Sequence, residues 1–277
     1  MPTRRVNGLD LFYQDDDFSD PWKPTQTVFM LHGFSRNGNF FRGWVPTLAR
    51  HYRVIRADIR GCGQSEDPGS DFVFDIDDVV SDCIGLLDSL EIDTIHHVGE
   101  ATGGIVGCLL AARHPERIRS LTLISTPTSP STGKSEFYSA GFATPQEAMA
   151  TLGMKDWWLR SRRALDDPAQ AAYFAGEVAR TPVHCAVAMW KYMHGPSLDT
   201  MALLSQIKAP TLLLSPTGTF SGNVTLAQQT EMIKLLPNAR QKIYDAHPND
   251  MFYLHASELA RDTLEFIDSV AVTADRN

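Results

Sequence analysis

The stretch 95–107, IHHVGEATGGIVG, decides how the chain is read. An apolar, β-branched run ends at Gly99, and a glycine-rich helix start follows at Gly103 and Gly104. A tight strand-to-helix turn between them forces one residue into a strained, exposed position, and small neighbours are what let the backbone pass so closely. In the pattern G-x-S-x-G that residue is a nucleophilic serine. Here it is Ala101, which has no nucleophilic atom.

Working outward, the same rhythm recurs. TVFMLHGF, YRVIRADIRGCGQS, TIHHVGE, RSLTLIS, APTLLLSPTG and ARQKIYDA each read as a short, nearly all-apolar strand, the first two running into glycine-rich loops. Between the second and third, DIDDVVSDCIGLLDSL spaces Ile76, Val79, Val80, Cys83, Leu86, Leu87 and Leu90 at helical intervals, with acidic residues at the positive end of the helix dipole. GGIVGCLLAARHPERI reads as a helix that stops before Pro115, and further helices are expected near 224–235 and 256–269. Strands of this kind alternating with helices predict an α/β fold, a mostly parallel sheet covered by helices on both faces. Asn7-Gly8 between alternating positions predicts a leading hairpin that adds antiparallel strands at one edge. The alternation breaks once. From Ser129 to about Gln206 the sequence is helical and aromatic-rich, which predicts a cap (129–206) inserted into a core made of 1–128 and 207–277. Such an insertion lies over the carboxyl edge of the sheet, where open α/β folds bind ligands.

Bulk properties narrow the classes of partner. With 277 residues, 43 % hydrophobic and 21 % charged, the chain can bury a sizeable core. A net charge of −8 argues against nucleic acid and anionic membrane, since the densest basic cluster is only Arg160-Ser161-Arg162-Arg163. No run approaches the roughly 20 apolar residues of a membrane span, and no apolar segment follows Arg4 and Arg5 as in a secretory signal. Cys62, Cys83, Cys108 and Cys185 are widely spaced without a C-x-x-C pair, as expected of reduced thiols in the cytoplasm. No metal-ligand spacing and no G-x-G-x-x-G context is present, so neither metal nor other cofactor is expected. Nothing in the sequence sets the oligomeric state.

Four segments in order carry a family resemblance: His32-Gly33-Phe34 after the first buried strand, DIRGCGQS at 58–65, GEATGG at 99–104, and YDAHPND at 244–250. Together they resemble the α/β-hydrolase fold with a helical cap, over nearly the whole chain. LISTPTSPS, followed later by EAMATLGMKDWW, resembles a subgroup of small-substrate hydrolases whose elbow reads G-E-S-x-x-G. The resemblance implies an oxyanion hole formed by the backbone N–H groups of Thr102, at a helix N-terminus, and Phe34. It also implies a catalytic histidine after the last strand, for which His247 is preferred over His255. Counted back from the final helix without gaps, the histidine position falls nearer Asp250. Asp58 and Arg60 are expected to brace neighbouring loops, and Cys62 to lack the base a thiol nucleophile needs. The acid is unassigned: neither LISTPTS (123–129) nor SPTGTFSG (215–222) contains a carboxylate, while Glu100, Asp245 and Asp250 read as structural.

Three functions fit Ala101. In the first, position 101 belongs to serine, and the protein is a hydrolase of a small ester, lactone, amide or carbon–carbon bond, inactivated by a Ser→Ala change. In the second, alanine is native and His247 acts as base in cofactor-free, non-hydrolytic chemistry with an enolate-like species in the oxyanion hole. In the third, the pocket only binds a ligand. Trp157, Trp158 and Trp190 are the expected contacts of an aromatic or alicyclic small molecule, with ordinary packing of the cap as the competing explanation.

Overall fold

The computed structural model describes residues 2–128, 136–161, 167–195, 199–217, 224–245 and 250–274. Eight strands form one sheet: β1 (Thr3–Val6), β2 (Leu9–Asp16), β3 (Thr27–Leu31), β4 (Arg53–Ala57), β5 (Ile95–Glu100), β6 (Ile118–Ile124), β7 (Thr211–Pro216) and β8 (Ala239–Tyr244). Their spatial order is β1-β2-β4-β3-β5-β6-β7-β8. The β1–β2 hairpin turns at Asn7-Gly8, both with positive φ (48° and 83°), and β2 joins β4 antiparallel. Every pairing from β4 to β8 is parallel. The six core strands and the edge hairpin are those the sequence predicts.

The helices are α1 (Val45–Leu48), α2 (Ile76–Ser89), α3 (Thr102–Arg113), α4 (Glu136–Ser139), α5 (Pro145–Ser161), α6 (Pro168–Val178), α7 (Val183–Met193), α8 (Met201–Leu204), α9 (Leu226–Leu235), α10 (Met251–Leu254) and α11 (Ala256–Ala274). None of them is long and apolar enough to cross a membrane. Among the described residues only helices lie between β6 and β7, where the sequence breaks its alternation.

Strand periodicity sorts the core into two layers. Phe29 and Leu31 face one way with Ile105, Leu109 and the apolar side of α2. Val28 and Met30 face the other way with Trp44, Phe252 and Ile267. The sheet is therefore buried on both faces, which is why its strands read as continuous apolar runs rather than alternating ones.

The crossover pattern fixes the position of the site. From β3 the chain moves outward to β4, then returns past β3 to pair β5 on its other side. Open α/β sheets bind ligands outside the carboxyl ends of their strands at such a switch point, which here lies between β3 and β5. In register, Leu31 faces Gly99, so the segments that follow β3 and β5 leave the sheet side by side.

Candidate active site

Ala101 is the N-cap of α3, with φ 47° and ψ −110°. Its amide donates to Ile124 O at 3.0 Å, and its own carbonyl accepts from Gly104 (3.0 Å) and Ile105 (3.1 Å) to start the helix. A non-glycine residue here is strained by about 1–3 kcal/mol, and persists only because its surroundings impose it. The constraint comes from close packing. A Cβ on Gly103 would overlap the Leu31 carbonyl, and one on Gly99 would overlap the Gly103 backbone. Ala101 itself is half-buried, not sealed in the interior.

Beside the elbow, His32 fixes the β3 loop. Ile59 N–H donates to His32 Nε2 at 3.0 Å, so Nδ1 carries the proton and donates to Gly33 O at 2.8 Å. Burial drives this imidazole down to about 4, against a smaller upward push from the Gly33 bond, so it stays neutral. Gly33 approaches the elbow so closely that a Cβ there would lie 2.8 Å from the Ala101 methyl carbon. Its amide donates to Glu100 Oε2 at 2.9 Å. Phe34 follows, half-buried, and its amide and that of Thr102 have no hydrogen-bond partner among the described residues. Such amides are the raw material of an oxyanion hole.

Beneath the elbow lies a buried charge cluster. Arg36 places Nη1 3.4 Å from Glu100 Oε1 and Nη2 2.5 Å from Asp250 Oδ1, and Nη1 also donates to Phe34 O at 3.2 Å. Burial alone would weaken the guanidinium's charge, but Glu100 and Asp250 outweigh it and push its pKa further up. Asp250 opens α10, and the Arg36 guanidinium also lies 5.4 Å over the Phe252 ring. Sequence reading missed Arg36, although its position two residues past His32-Gly33-Phe34 was a usable signal. Glu100 and Asp250, read as structural, are both engaged by this cation.

The remaining candidates separate. His247 lies outside the described residues, and His255 ends α10. Trp157 and Trp190 flank Phe34 edge-on, with ring centroids 5.9 and 5.3 Å away. The Trp157 indole N–H donates to Tyr138 O at 2.7 Å, and Trp190 stacks on His194 at 3.7 Å. Trp158 is as buried as these two but makes no ring contact with Phe34 among the described residues. At 0, 1 and 4 % exposure, Trp157, Trp158 and Trp190 all belong to the packed layer on that face of the sheet.

The 58–65 loop is architectural. Asp58 accepts the Gly38 and Gln64 amides (2.7 and 2.8 Å), and burial raises its pKa to about 6. Arg60 is held by Asp82 and Asp78. Burial pushes the Cys62 thiol well up, which removes it as a nucleophile. His96 and His97 lie buried in β5. His96 contacts Ser120 Oγ and Gln26 Oε1, and His97 Nε2 lies 2.9 Å from Gly103 O.

The strand order, the elbow and the neighbouring β3 loop define a class. The model of the alpha/beta hydrolase fold family matches residues 26–253, and the chain belongs to that family. It is 38 % identical over 102 residues to 2-hydroxymuconate semialdehyde hydrolase of Pseudomonas sp. (strain CF600), an alignment spanning 36 % of each chain. Over a longer span it is similar to RutD of Pseudomonas syringae pv. syringae (strain B728a), named for carbamate hydrolysis, with 27 % identity over 77 % of this chain and 82 % of that one. Among solved structures, the enol-lactonase from Burkholderia xenovorans LB400 superposes with a TM-score of 0.77 at 24 % identity, covering 96 % of this chain and all of that one.

Proposed function

We propose that this chain is a serine-type α/β hydrolase scaffold for a small ester, lactone, amide or carbon–carbon bond substrate, with alanine at the nucleophile position. The observation that carries the reading is the backbone of Ala101. A φ of 47° at the head of α3 is a costly way to present a methyl group, and a sensible way to present an Oγ. The Thr102 and Phe34 amides then receive the oxyanion, His247 takes the proton, and Trp157, Trp158 and Trp190 shape the substrate side under a cap formed by 129–206. With alanine at 101, substrate is bound but no acyl-enzyme forms. Four buried free cysteines are in keeping with a reducing, cytoplasmic setting.

The similar proteins named for semialdehyde and carbamate hydrolysis support a small-molecule hydrolase reading. The experiment is Ala101→Ser, assayed with a panel of small esters, lactones, amides and vinylogous diketones. Loss of a triad nucleophile costs on the order of a millionfold in turnover, so restoring it should raise the rate by several orders of magnitude. No gain across the panel refutes the proposal.

One observation favours a second reading. The ends of β6 and β7 carry Ser125, Thr126, Thr128 and Thr217 but no carboxylate to orient a histidine. A base acting without that partner suits proton abstraction beside a carbonyl, with the same two amides stabilising the enolate. Exchange of substrate carbon-bound hydrogen for deuterium by the Ala101 protein would establish it. A ligand retained with no such exchange, and with no rate gained on Ala101→Ser, would leave binding as the function.

A further inference from the structure

We propose that Asp67, His184 and Cys185 form a zinc site that clasps the loop after β4 to the first turn of α7. Asp67 belongs to the loop between β4 and α2, while His184 and Cys185 are the second and third residues of α7. One potential ligand atom from each lies within 4.8 Å of the other two. His184 Nε2 is 2.8 Å and Cys185 Sγ 3.8 Å from the same Asp67 oxygen, Oδ1. Zinc with ligands at about 2.0–2.3 Å in a tetrahedron needs ligand atoms about 3.3–3.8 Å apart, so the observed spacings bracket the requirement.

The donor set chooses the metal. One thiolate, one imidazole and one carboxylate suit a borderline-soft ion, whereas calcium and magnesium require mainly oxygen. Thiolate and carboxylate together cancel the two positive charges, which answers the unfavourable positive end of the α7 dipole. On binding, the Cys185 thiol releases its proton to solvent and no electron moves. The fourth position is left to water.

Access and preorganisation are both present. Cys185 is buried, but the Asp67 and His184 side chains are 47 and 36 % exposed, which leaves the ion a route from solvent. The loop is already seated against the helical region, with the Gly63 N–H donating to Thr181 Oγ1 at 3.3 Å. At Gly61, φ is +69° and a Cβ would stand 2.9 Å from Cys185 Sγ, so the loop reaches the thiol only because residue 61 has no side chain.

The full-length chain, freed of metal with a chelator, is titrated with Zn(II) against a chromophoric competitor, and in parallel with Co(II). One zinc per chain is expected, with affinity falling about 100-fold or more in Cys185→Ser and in Asp67→Asn. A cobalt–thiolate charge-transfer band in the near ultraviolet should be lost in Cys185→Ser alone. Asp67→Asn, at an exposed position, keeps the test valid if the cysteine variant folds poorly. Absence of zinc binding, or equal affinity in wild type and Asp67→Asn, overturns the proposal.

Discussion

Arg36→Met is the most informative perturbation of the candidate site. The guanidinium is buried, meets Asp250 at 2.5 Å and Glu100 at 3.4 Å, and both carboxylates are themselves shielded from water. Replacing it with an apolar chain of similar length keeps the volume but leaves two buried anions without their shared countercharge. Removing one partner from a buried ion cluster costs about 3–5 kcal/mol, because the remaining charge has lost both water and partner. Glu100 still accepts the Gly33 amide, which places the expectation toward the lower end of that range. Urea unfolding followed by tryptophan fluorescence measures the loss as a fall in midpoint at constant slope. Adding Glu100→Gln and Asp250→Asn to Arg36→Met should recover much of the stability, since neutral amides need no cation. A loss below about 1 kcal/mol in the single variant, or no recovery in the triple one, would refute the account of Arg36 as the countercharge under the elbow.

Other expectations follow from the same geometry. Ala101→Ser should raise turnover by several orders of magnitude over the parent, as measured by the substrate panel. Gly103→Ala should cost about 3 kcal/mol, because its Cβ meets a backbone carbonyl that cannot rotate away, whereas Ala101→Gly should gain about 1 kcal/mol by releasing strain; paired urea melts of the two variants check both signs. Stability should fall steeply with acid. His32, His96 and His97 are held near 4 by burial, below the ordinary value of 6.5, so the unfolded chain binds up to three protons more as pH drops between those values. Asp58, raised by burial to about 6, opposes them with one proton taken up by the folded form. The net difference of two protons gives a slope of about 2.7 kcal/mol per pH unit between pH 6 and 4. Unfolding midpoints that stay level over that interval would contradict it. Zinc binding dependent on Asp67 and Cys185, followed by competitive titration, completes the set.

Much of the fold was legible because its signals are local. Apolar runs ending in glycine named the strands, Asn7-Gly8 named the hairpin, and the GEATGG turn named the elbow, all within windows of a dozen residues. What escaped was brought together by tertiary contact. Arg36 and Asp250 are 214 positions apart and Asp67 and His184 are 117 apart, so no spacing rule links them. The tryptophans show a different limit. Sequence supplies their bulk and density, yet Trp157, with its ring edge-on to Phe34, and Trp158, with no such ring contact among the described residues, look identical as letters. The strand signal missing after β6 was equally local, and α5, α6 and α7 stand there among the described residues.

The return of the chain past β3 to β5 also sets a timetable for synthesis. Residue 101 cannot be pinned until Ile124, whose carbonyl receives its amide, has been made and aligned. Arg36 is translated 214 residues before Asp250, so over that interval the cation has at most one of its two anions. Completion of the charge cluster beneath Ala101 is therefore coupled to the arrival of α10, and a ribosome-bound chain lacking it carries an unfinished floor beneath its elbow.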